Sequence, residues 1–261
     1  MVAGKTTLIN SILGLIKYQK GNIKLFGKSL DNETKSKIGI VPQELAFFDT
    51  LSAEENIDFF CGLYISDSTL RKQYVKEAIE FTELQDFRKF LPKKLSGGLK
   101  RRLNIACGIV HKPSLIFFDE PTVAVDTQSR SFILDGIRQL NEKGSTIIYT
   151  THYLDEADDA DMIYIVDHGQ VTAKGSANQI KENYAQNFLK VFVTDTADFK
   201  EILKEEIPFE EVRVNELLIH PETTEKALEI LTCGRSFIRQ FEFRPGTMDD
   251  AFMALTGREV R

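Results

Sequence analysis

The chain has 261 residues, with 33 Lys and Arg against 39 Asp and Glu and a formal net charge of −6. Hydrophobic residues make up 42% and charged residues 28%, a balance that predicts a packed protein and excludes a disordered one. The mild acidic excess gives no reason to expect nucleic acid as a partner, and no apolar run approaches the ~18 residues of a membrane-spanning helix. Three widely spaced cysteines argue against a disulfide framework or a zinc site and favour a reducing compartment.

The first part of the chain alternates between short apolar strands and helices. Its predicted strands lie at 22–26, 38–41, 115–118 and 146–149. Its predicted helices lie at 5–16, across a helical stretch from 52 to about 90, and at 99–110 and about 129–143. The last two strands are unbroken apolar runs joined by a helix, which predicts a parallel sheet covered on both faces.

The second part of the chain has a different character. A hairpin is predicted over 162–175, turning at Asp167-His168-Gly169, and a polar helix follows to about residue 184. Further strands are predicted at 189–193, 211–214, 217–220 and 238–243, and further helices at 197–205, 223–232 and 247–255. We therefore predict a first domain over 1–187, with a helical subdomain at about 51–110, and a small α+β domain over 188–261.

The first motif, Gly4-Lys5-Thr6-Thr7, opens the first predicted helix. Backbone N–H groups at a helix N-terminus point at anions, a lysine reaches the β- and γ-phosphates of a nucleotide, and a hydroxyl ligates Mg²⁺. Taken alone, the motif is a weak signal, and a core helix that begins after a glycine is the more common explanation.

Two acidic residues, Asp119 and Glu120, directly follow the apolar strand at 115–118. Ligands of open α/β sheets bind at the carboxyl ends of strands, so Asp119 is placed to hold Mg²⁺ and Glu120 to polarise a water. The alternative is a solvated turn before Pro121. Beside the first motif, the pair favours a nucleotide site.

A third motif, Leu95-Ser96-Gly97-Gly98, precedes the helix at 99–110, and its Ser96 stands 23 residues before Asp119. Glycines allow a backbone to approach an anion closely, and the helix N-terminus supplies donors. In this order the three motifs resemble those of the ATP-binding cassette (ABC) ATPases, in which Leu-Ser-Gly-Gly is the signature sequence. The resemblance implies that this segment contacts the nucleotide held by the other subunit of a head-to-tail dimer.

Three further residues match positions of that family. Gln43 resembles the glutamine that senses Mg²⁺ and the attacking water, and His152 resembles the switch histidine that contacts the γ-phosphate. Asp126 occupies the D-loop position, although Ala124 stands where the family commonly has Gly. Singly, Gln43 would be a solvated loop residue and His152 a core or surface histidine. Six elements in family order over 4–152 argue against coincidence.

The resemblance implies an α/β fold of the P-loop NTPase (RecA-like) type and Mg-ATP hydrolysis, with ATP and Mg²⁺ as cofactors. It implies Glu120 as the general base, with His152 and Gln43 positioning the γ-phosphate and the water. The implied ATP-binding residues are Gly4, Lys5, Thr6, Thr7, Ser96, Gly97, Gly98 and Asp126. The implied Mg²⁺ ligands are Thr6, Gln43 and Asp119.

The stretches 99–106 and 119–126 and the tail 246–258 resemble the multidrug and ABC-2-type export ATPases. This resemblance implies separate membrane permease subunits as partners, no nucleic acid, and a cytoplasmic chain held at the inner face of the cell membrane. One alternative is a soluble ABC ATPase without a transport role, although such proteins usually join two cassettes or insert long coiled coils, neither of which this chain shows. Another alternative is an inactive, shortened cassette that serves as a structural partner.

Several conspicuous side chains match no motif. His111, His168 and His220 are predicted to lie on the surface or in turns, and Lys100, Arg101 and Arg102 are predicted to form the solvated face of their helix. Four phenylalanines are predicted to be mainly core residues, namely Phe47, Phe48, Phe59 and Phe60. The first two also stand where the family docks on its membrane partner.

The phosphate-loop pattern is incomplete at the start of the chain. The full phosphate-loop pattern has a glycine five residues before Gly4, a position that precedes Met1. The resemblance therefore implies a cassette shortened within the phosphate loop, without a preceding strand or an adenine-stacking aromatic residue. We expect unpaired strand edges and weak ATP binding on this basis.

Overall fold

The computed structural model describes residues 4–203 and 207–257. The chain divides after His152 into two compact units. The predicted domain limits, 1–187 and 188–261, differ from this division and stay a prediction. Over the described residues, no helix combines the length and the apolar character needed to cross a membrane.

The first unit is built around a three-stranded parallel sheet. In spatial order its strands are β1 (Ile38–Val41), β2 (Leu115–Asp119) and β3 (Thr146–Thr150). Every residue of the central strand β2 is buried, as its unbroken apolar sequence predicts. Because the strands are parallel, their carboxyl ends meet at one edge, where Val41 pairs with Phe118 and Asp119 with Thr150.

Alternate residues of β2 belong to two different hydrophobic clusters. One cluster includes α1 (Lys5–Ile12) and contains Ile9, Leu13, Ile38, Leu115 and Phe117. The other includes α5 (Gly97–Ile109) and α6 (Thr127–Glu142) and contains Val41, Ile105, Ile109, Ile116, Phe118, Ile133 and Ile137. Both sides of the strand are therefore covered by helices, which is why its sequence is apolar throughout instead of alternating.

Two glycines bring α5 into direct contact with β1. A Cβ on Gly39 would lie 2.5 Å from the carbonyl oxygen of Gly108, and a Cβ on Gly108 would lie 2.6 Å from the carbonyl oxygen of Ile40. No side chain fits at either position, since real Cβ atoms do not approach backbone atoms so closely. The close contact fixes the position of α5 relative to the strand and to the loop that follows it.

The predicted helical stretch forms α3 (Ala53–Gly62) and α4 (Ser68–Phe81), which share a buried cluster with α5. Side chains of Ser52 and Asp67 cap α3 and α4 by accepting backbone N–H bonds. Phe47 and Phe60 pack partly against this cluster. The core prediction is wrong for Phe48 and Phe59, which are 45% and 44% exposed; their rings contact each other and Phe60 but do not belong to the cluster.

The predicted strand at 22–26 is also wrong. Leu25 and Lys28 exchange two backbone hydrogen bonds, of 2.8 and 3.0 Å, around a tight turn at Phe26 and Gly27, both of which have positive φ. A strand requires a neighbouring strand to bond with, and in the described part of the chain this segment forms only that one bridge. A short helix that was not predicted follows, α2 (Asn32–Ser36).

The second unit begins with a 3₁₀ helix, Leu154–Asp159, and the predicted hairpin that follows is confirmed. Its strands are β4 (Ile163–Asp167) and β5 (Gln170–Gly175), and its turn residues His168 and Gly169 both have positive φ. The predicted polar helix follows as α7 (Ala177–Tyr184), capped by Ser176.

An antiparallel four-stranded sheet follows in the order β7-β8-β6-β9. Its elements along the chain are β6 (Phe188–Val193), α8 (Thr196–Leu203), β7 (Phe209–Arg213), β8 (Glu216–Ile219), α9 (Thr224–Cys233) and β9 (Ile238–Arg244). This is the split βαβ arrangement, in which two helices cover one face of the sheet. Residues 204 and 205 of the predicted helix at 197–205 lie outside the described residues.

The last helix, α10 (Met248–Thr256), packs back on the beginning of the second unit. Met248 and Ala251 join Ile165 and Ile180 in one buried cluster. Thr247 caps α10 in a capping box with Asp250. Arg258, the end of the predicted tail stretch, lies outside the described residues.

Candidate nucleotide-binding and catalytic site

The first motif lies where α1 begins. Gly4 is the N-cap residue, with φ 88° and ψ 3°, a left-handed conformation that favours glycine. The first turn of the helix is formed by Lys5, Thr6 and Thr7. The ammonium group of Lys5 donates to the carbonyl oxygen of Thr151 at 2.8 Å and lies 3.3 Å from Nδ1 of His152. The start of α1 is thereby joined to the chain just beyond β3.

His152 also contacts the second predicted carboxylate. Its Nε2 lies 2.5 Å from Oε1 of Glu120, which is buried. An ammonium donor at Nδ1 requires a lone pair there, so the arrangement fits the tautomer whose N–H is on Nε2, where it faces Oε1 of Glu120. Lys5, His152 and Glu120 thus form one continuous chain of polar contacts.

The backbone holds Glu120 in an unusual conformation. Its φ is 48°, which is uncommon for a residue with a side chain. Its N–H lies 3.1 Å from both the carbonyl oxygen and the hydroxyl of Thr150, and that hydroxyl donates to Oδ1 of Asp119 at 2.6 Å. Thr150, the last residue of β3, therefore positions both acidic residues at the end of β2.

Two cations lie near these buried carboxylates. Burial lowers the pKa of Lys5, while attraction to Glu120 and Asp119 acts in the opposite direction. Burial likewise lowers the pKa of Arg101, and the same two carboxylates oppose that shift. The site therefore combines two acidic and two basic groups in partly desolvated surroundings, where electrostatic interactions are stronger than in water.

A second set of predicted residues lies at the starts of α5 and α6. Ser96 caps α5 by accepting the N–H of Leu99 at 3.3 Å, and Asp126 caps α6 by accepting both the N–H and the hydroxyl of Ser129. A Cβ on Gly98 would lie 2.2 Å from the hydroxyl oxygen of Ser129. The close packing of the two helix starts thus explains Gly98.

Other residues of this set remain open to solvent. Ser96, Gly97 and Asp126 are exposed, and a Cβ on Gly97 would meet nothing within 4 Å. Ala124, which precedes Asp126, has φ 59°, which explains why glycine suits that position. The nucleotide-binding roles of these residues stay predictions.

Gln43 is exposed and lies directly after Pro42, at the carboxyl end of β1. Two residues of α5 that sequence analysis did not select hold this loop. Arg101 donates to the carbonyl oxygens of Pro42 and Glu120, and Asn104 bonds to Pro42 and Ala46. Asn104 could have been found from the sequence, because it interrupts the apolar run 103–110. A buried side-chain amide requires hydrogen-bond partners, which indicates a structural contact.

The prediction that Arg101 belongs to a solvated face is wrong, because the side chain is 4% exposed and bonds to two backbone carbonyls. The solvated-face prediction is also wrong for Arg102, whose side chain is 14% exposed, with its guanidinium over the ring of Phe132 and an ion pair to Glu83. His111 is also buried, contrary to the surface prediction, because its ring stacks on Tyr64 and its Nε2 lies 3.0 Å from the carbonyl oxygen of Ile38.

The predicted Mg²⁺ ligands suit a hard cation. Thr6, Gln43 and Asp119 offer hydroxyl, amide and carboxylate oxygens, the donor types that Mg²⁺ prefers. In the described part of the chain, no group of three or more His, Cys, Asp or Glu side chains could hold a metal ion.

Comparisons with known proteins identify relatives of this chain. A family model described as ABC transporter matches residues 3–123. The chain is 34% identical to the linearmycin resistance ATP-binding protein LnrL of Bacillus subtilis, over 99% of this chain and 88% of that protein. It is 31% identical to the daunorubicin/doxorubicin resistance ATP-binding protein DrrA of Streptomyces peucetius, over 98% and 81%. It is also 31% identical to the Nod factor export ATP-binding protein I of Rhizobium sp. strain N33, over 99% and 86%.

Solved structures show the same fold. An ATP binding subunit of an ABC transporter has a TM-score of 0.62 and 25% identity, covering 69% of this chain and 77% of that one. The cassette MJ0796, solved as a dimer in a post-hydrolysis state bound to ADP and Pi, has a TM-score of 0.61 and 28% identity, covering 67% and 81%. The expected α/β cassette fold is confirmed. Relatives this similar over most of their length establish that the chain belongs to the ATP-binding proteins of the ABC transporter family.

Proposed function

We propose that this chain is the ATP-hydrolysing subunit of an export transporter, which drives separate membrane permease subunits. The observation that carries the proposal is the chain of contacts from Lys5 through His152 to Glu120, at the carboxyl edge of the parallel sheet. It joins a phosphate-binding cation to a buried carboxylate. That combination suits the transfer of a phosphoryl group to water.

We assign each residue of the site one role. The N-terminal amides of α1 and the ammonium of Lys5 would neutralise the nucleotide phosphates. Glu120 would accept the proton of the attacking water, and His152 and Gln43 would align the γ-phosphate and that water. The bond between His152 and Glu120 keeps the imidazole in one tautomer and orientation.

Magnesium would be held by Thr6 and Asp119, with Gln43 as a further ligand. The bound ion supplies positive charge that offsets the charge of the phosphates. Thr150 supports this site because its hydroxyl bond leaves the carboxylate of Asp119 in a single orientation.

The residues at the starts of α5 and α6 would complete the site of a second cassette in a head-to-tail dimer. Two helix N-termini packed together offer N–H groups and positive partial charge to an anion. Ser96, Gly97 and Asp126 are exposed at this place, which suits contact with another molecule. The dimer of MJ0796 with ADP and Pi supports this part of the proposal by analogy.

A pair of exposed aromatic side chains that follows the Gln43 loop would dock the permease at the cytoplasmic face of the cell membrane. Phe48 and Phe59 are 45% and 44% exposed, and their rings contact each other edge to face. Exposed apolar side chains that contact one another are typical of interaction sites. Export as the direction of transport is supported by the resistance and export roles named for the relatives.

The test is phosphate release from Mg-ATP by the purified chain, alone and together with membrane proteins encoded by neighbouring genes. We expect hydrolysis that requires Mg²⁺ and rises when the permease is present. Replacing Phe48 and Phe59 by Ser should abolish co-purification of the permease and leave the basal hydrolysis of the isolated chain within about twofold, since surface substitutions have small effects. Basal hydrolysis without any permease partner would instead favour a soluble ABC ATPase, and no nucleotide binding at all would favour a structural partner.

A further inference from the structure

Arg101 is a buried cation whose bonds all lead to the candidate site. It is 4% exposed, and it lies three residues after Gly98 on α5. Nη1 donates to the carbonyl oxygen of Pro42 at 2.9 Å, and Nη2 donates to the carbonyl oxygen of Glu120 at 3.2 Å. Arginine suits this task because its planar guanidinium presents several donors in a fixed geometry.

Asn104 lies three residues further along α5 and continues the same contact. Its Nδ2 donates to the carbonyl oxygen of Pro42 at 3.0 Å, and its Oδ1 accepts the N–H of Ala46 at 2.9 Å. Residues 43–45, which lie between the two bonded residues, are exposed. Both ends of the Gln43 loop are therefore tied to α5, while its middle part remains accessible.

The bond from Arg101 to Glu120 acts on a strained residue. Glu120 has positive φ, a conformation that persists only when its surroundings hold it in place. Thr150 binds the N–H of Glu120, and its carbonyl oxygen accepts from Arg101 at 3.2 Å and from the N–H of Val123 at 3.3 Å. Removal of the Arg101 bond would leave the carbonyl oxygen held only by the neighbouring Val123 of the same turn, so the turn would lose its connection to α5 and the carboxylate could move.

We propose that Arg101, assisted by Asn104, is a positioning residue that holds the Gln43 loop and the Glu120 turn at fixed positions relative to α5. This inference rests on the proposed function, in which Gln43 and Glu120 have roles in hydrolysis. The same hydrogen bonds join α5, the helix that follows the signature motif, to the loop of Gln43 and to Glu120, the two residues assigned to act on the attacking water.

The first test measures hydrogen exchange and does not depend on hydrolysis. The full chain is compared with Arg101→Met and with Arg102→Met, which makes the same change at the next residue of α5, where the side chain contacts Phe132 and Glu83 instead. The amide of Ala46 keeps Asn104 as its acceptor in both variants, so faster exchange there reports opening of the loop. We expect this exchange to be about three- to tenfold faster in Arg101→Met than in Arg102→Met, because the loop loses the stabilisation of about one hydrogen bond at Pro42. Equal exchange in the two variants would overturn the inference.

The second test separates positioning from folding. In Arg101→Met we expect kcat for ATP hydrolysis to fall about 10- to 100-fold while KM changes less than about threefold, because the displaced groups act on the water and not on nucleotide affinity. Combining Arg101→Met with Gln43→Ala should reduce kcat by less than the product of the two single effects, since both changes disturb one loop. A multiplicative loss, or an unchanged kcat, would overturn the inference.

A third variant covers the case in which Arg101→Met does not fold. Arg101→Lys keeps the buried charge but replaces the guanidinium fork by a single ammonium, so it should restore folding and recover only part of kcat. Full recovery of kcat would show that charge alone suffices and would contradict the positioning role. If the unmodified chain released no phosphate, the proposed function would fail while the exchange experiment would still decide whether Arg101 restrains the loop.

Discussion

The two edges of the parallel sheet differ in what their polar side chains contact. At the carboxyl edge, Lys5, His152 and Glu120 contact one another, and charged groups are only partly shielded from water. At the amino edge, polar side chains bond to backbone carbonyls, as Ser145 does to Pro113 and His111 to Ile38.

This difference indicates how each edge contributes. At the amino edge, Ser145 and His111 bond to backbone carbonyls and not to each other, so they complete the folded structure. Charged side chains that bond to one another can exchange those partners for a nucleotide and water. We therefore expect substitutions at the carboxyl edge to change turnover and substitutions at the amino edge to change stability.

The largest expected effect lies at the carboxyl edge. Glu120→Gln keeps the shape of the side chain but removes the base, so kcat should fall by about 10²–10³-fold, within the range for loss of acid–base catalysis. The melting temperature should stay within a few degrees. Steady-state phosphate release and thermal unfolding measure the two quantities, with the exposed Glu142→Gln as the matched control. Wild-type turnover in Glu120→Gln would show that the base lies elsewhere.

For Gly39→Ala in β1 we expect a loss of stability instead of a loss of turnover. The new Cβ would lie 2.5 Å from the carbonyl oxygen of Gly108 and 2.6 Å from Cγ of Pro113, so β1 and α5 must separate. We expect the free energy of unfolding to fall by about 2–3 kcal/mol, as for overpacked interiors. Urea denaturation measures this loss. An unchanged stability would mean that α5 moves away from β1 without cost.

A smaller effect, dependent on pH, is expected from His111. Burial lowers its pKa, and its Nδ1 has no hydrogen-bond partner among the described residues, so the charged form is disfavoured in the folded protein. The unfolded chain then binds more protons, and stability should fall as the pH drops below about 6.5, with a slope of at most ~1.4 kcal/mol per pH unit. Urea denaturation from pH 7.5 to 5 measures the slope.

Replacing His111 by Gln should remove most of this dependence, because Gln keeps a donor for Ile38 but does not titrate in this range. His168→Gln, in the exposed turn of the hairpin, is the matched control. An equal slope in wild type and His111→Gln would assign the pH dependence to other groups.

The smallest expected effect is that of Ser145→Ala. The hydroxyl of Ser145 donates to the carbonyl oxygen of Pro113 at 2.9 Å, and its loss should lower the free energy of unfolding by about 0.5–1.5 kcal/mol. Turnover should not change. A loss of kcat in a stable Ser145→Ala protein would contradict the separation of the two edges.

Local patterns predicted most of the elements of this protein. The apolar run that becomes β2, the carboxylates after it and the hairpin at 162–175 all depend on neighbouring residues, and each was found at its predicted place. The strand predicted at 22–26 failed because pairing is a property of two segments, and an apolar pattern describes only one.

Side-chain environment was harder to predict than secondary structure. Arg101 has a charged side chain, which is typical of surface residues. Its hydrogen-bond partners, Pro42 and Glu120, lie 59 and 19 residues away in the sequence, so a local pattern does not show them. His111 is buried for the same kind of reason, because Tyr64 and Ile38 reach it from distant parts of the chain.

By itself, the sequence determined the family, the order of the motifs and the residue types available for chemistry, since these depend on spacing along the chain. Only the tertiary structure decided that Lys5, His152 and Glu120 touch, that Thr150 orients both carboxylates, and that Arg101 ties the Gln43 loop to α5. The physical reason is the parallel sheet, which brings the ends of strands far apart in sequence to a single edge.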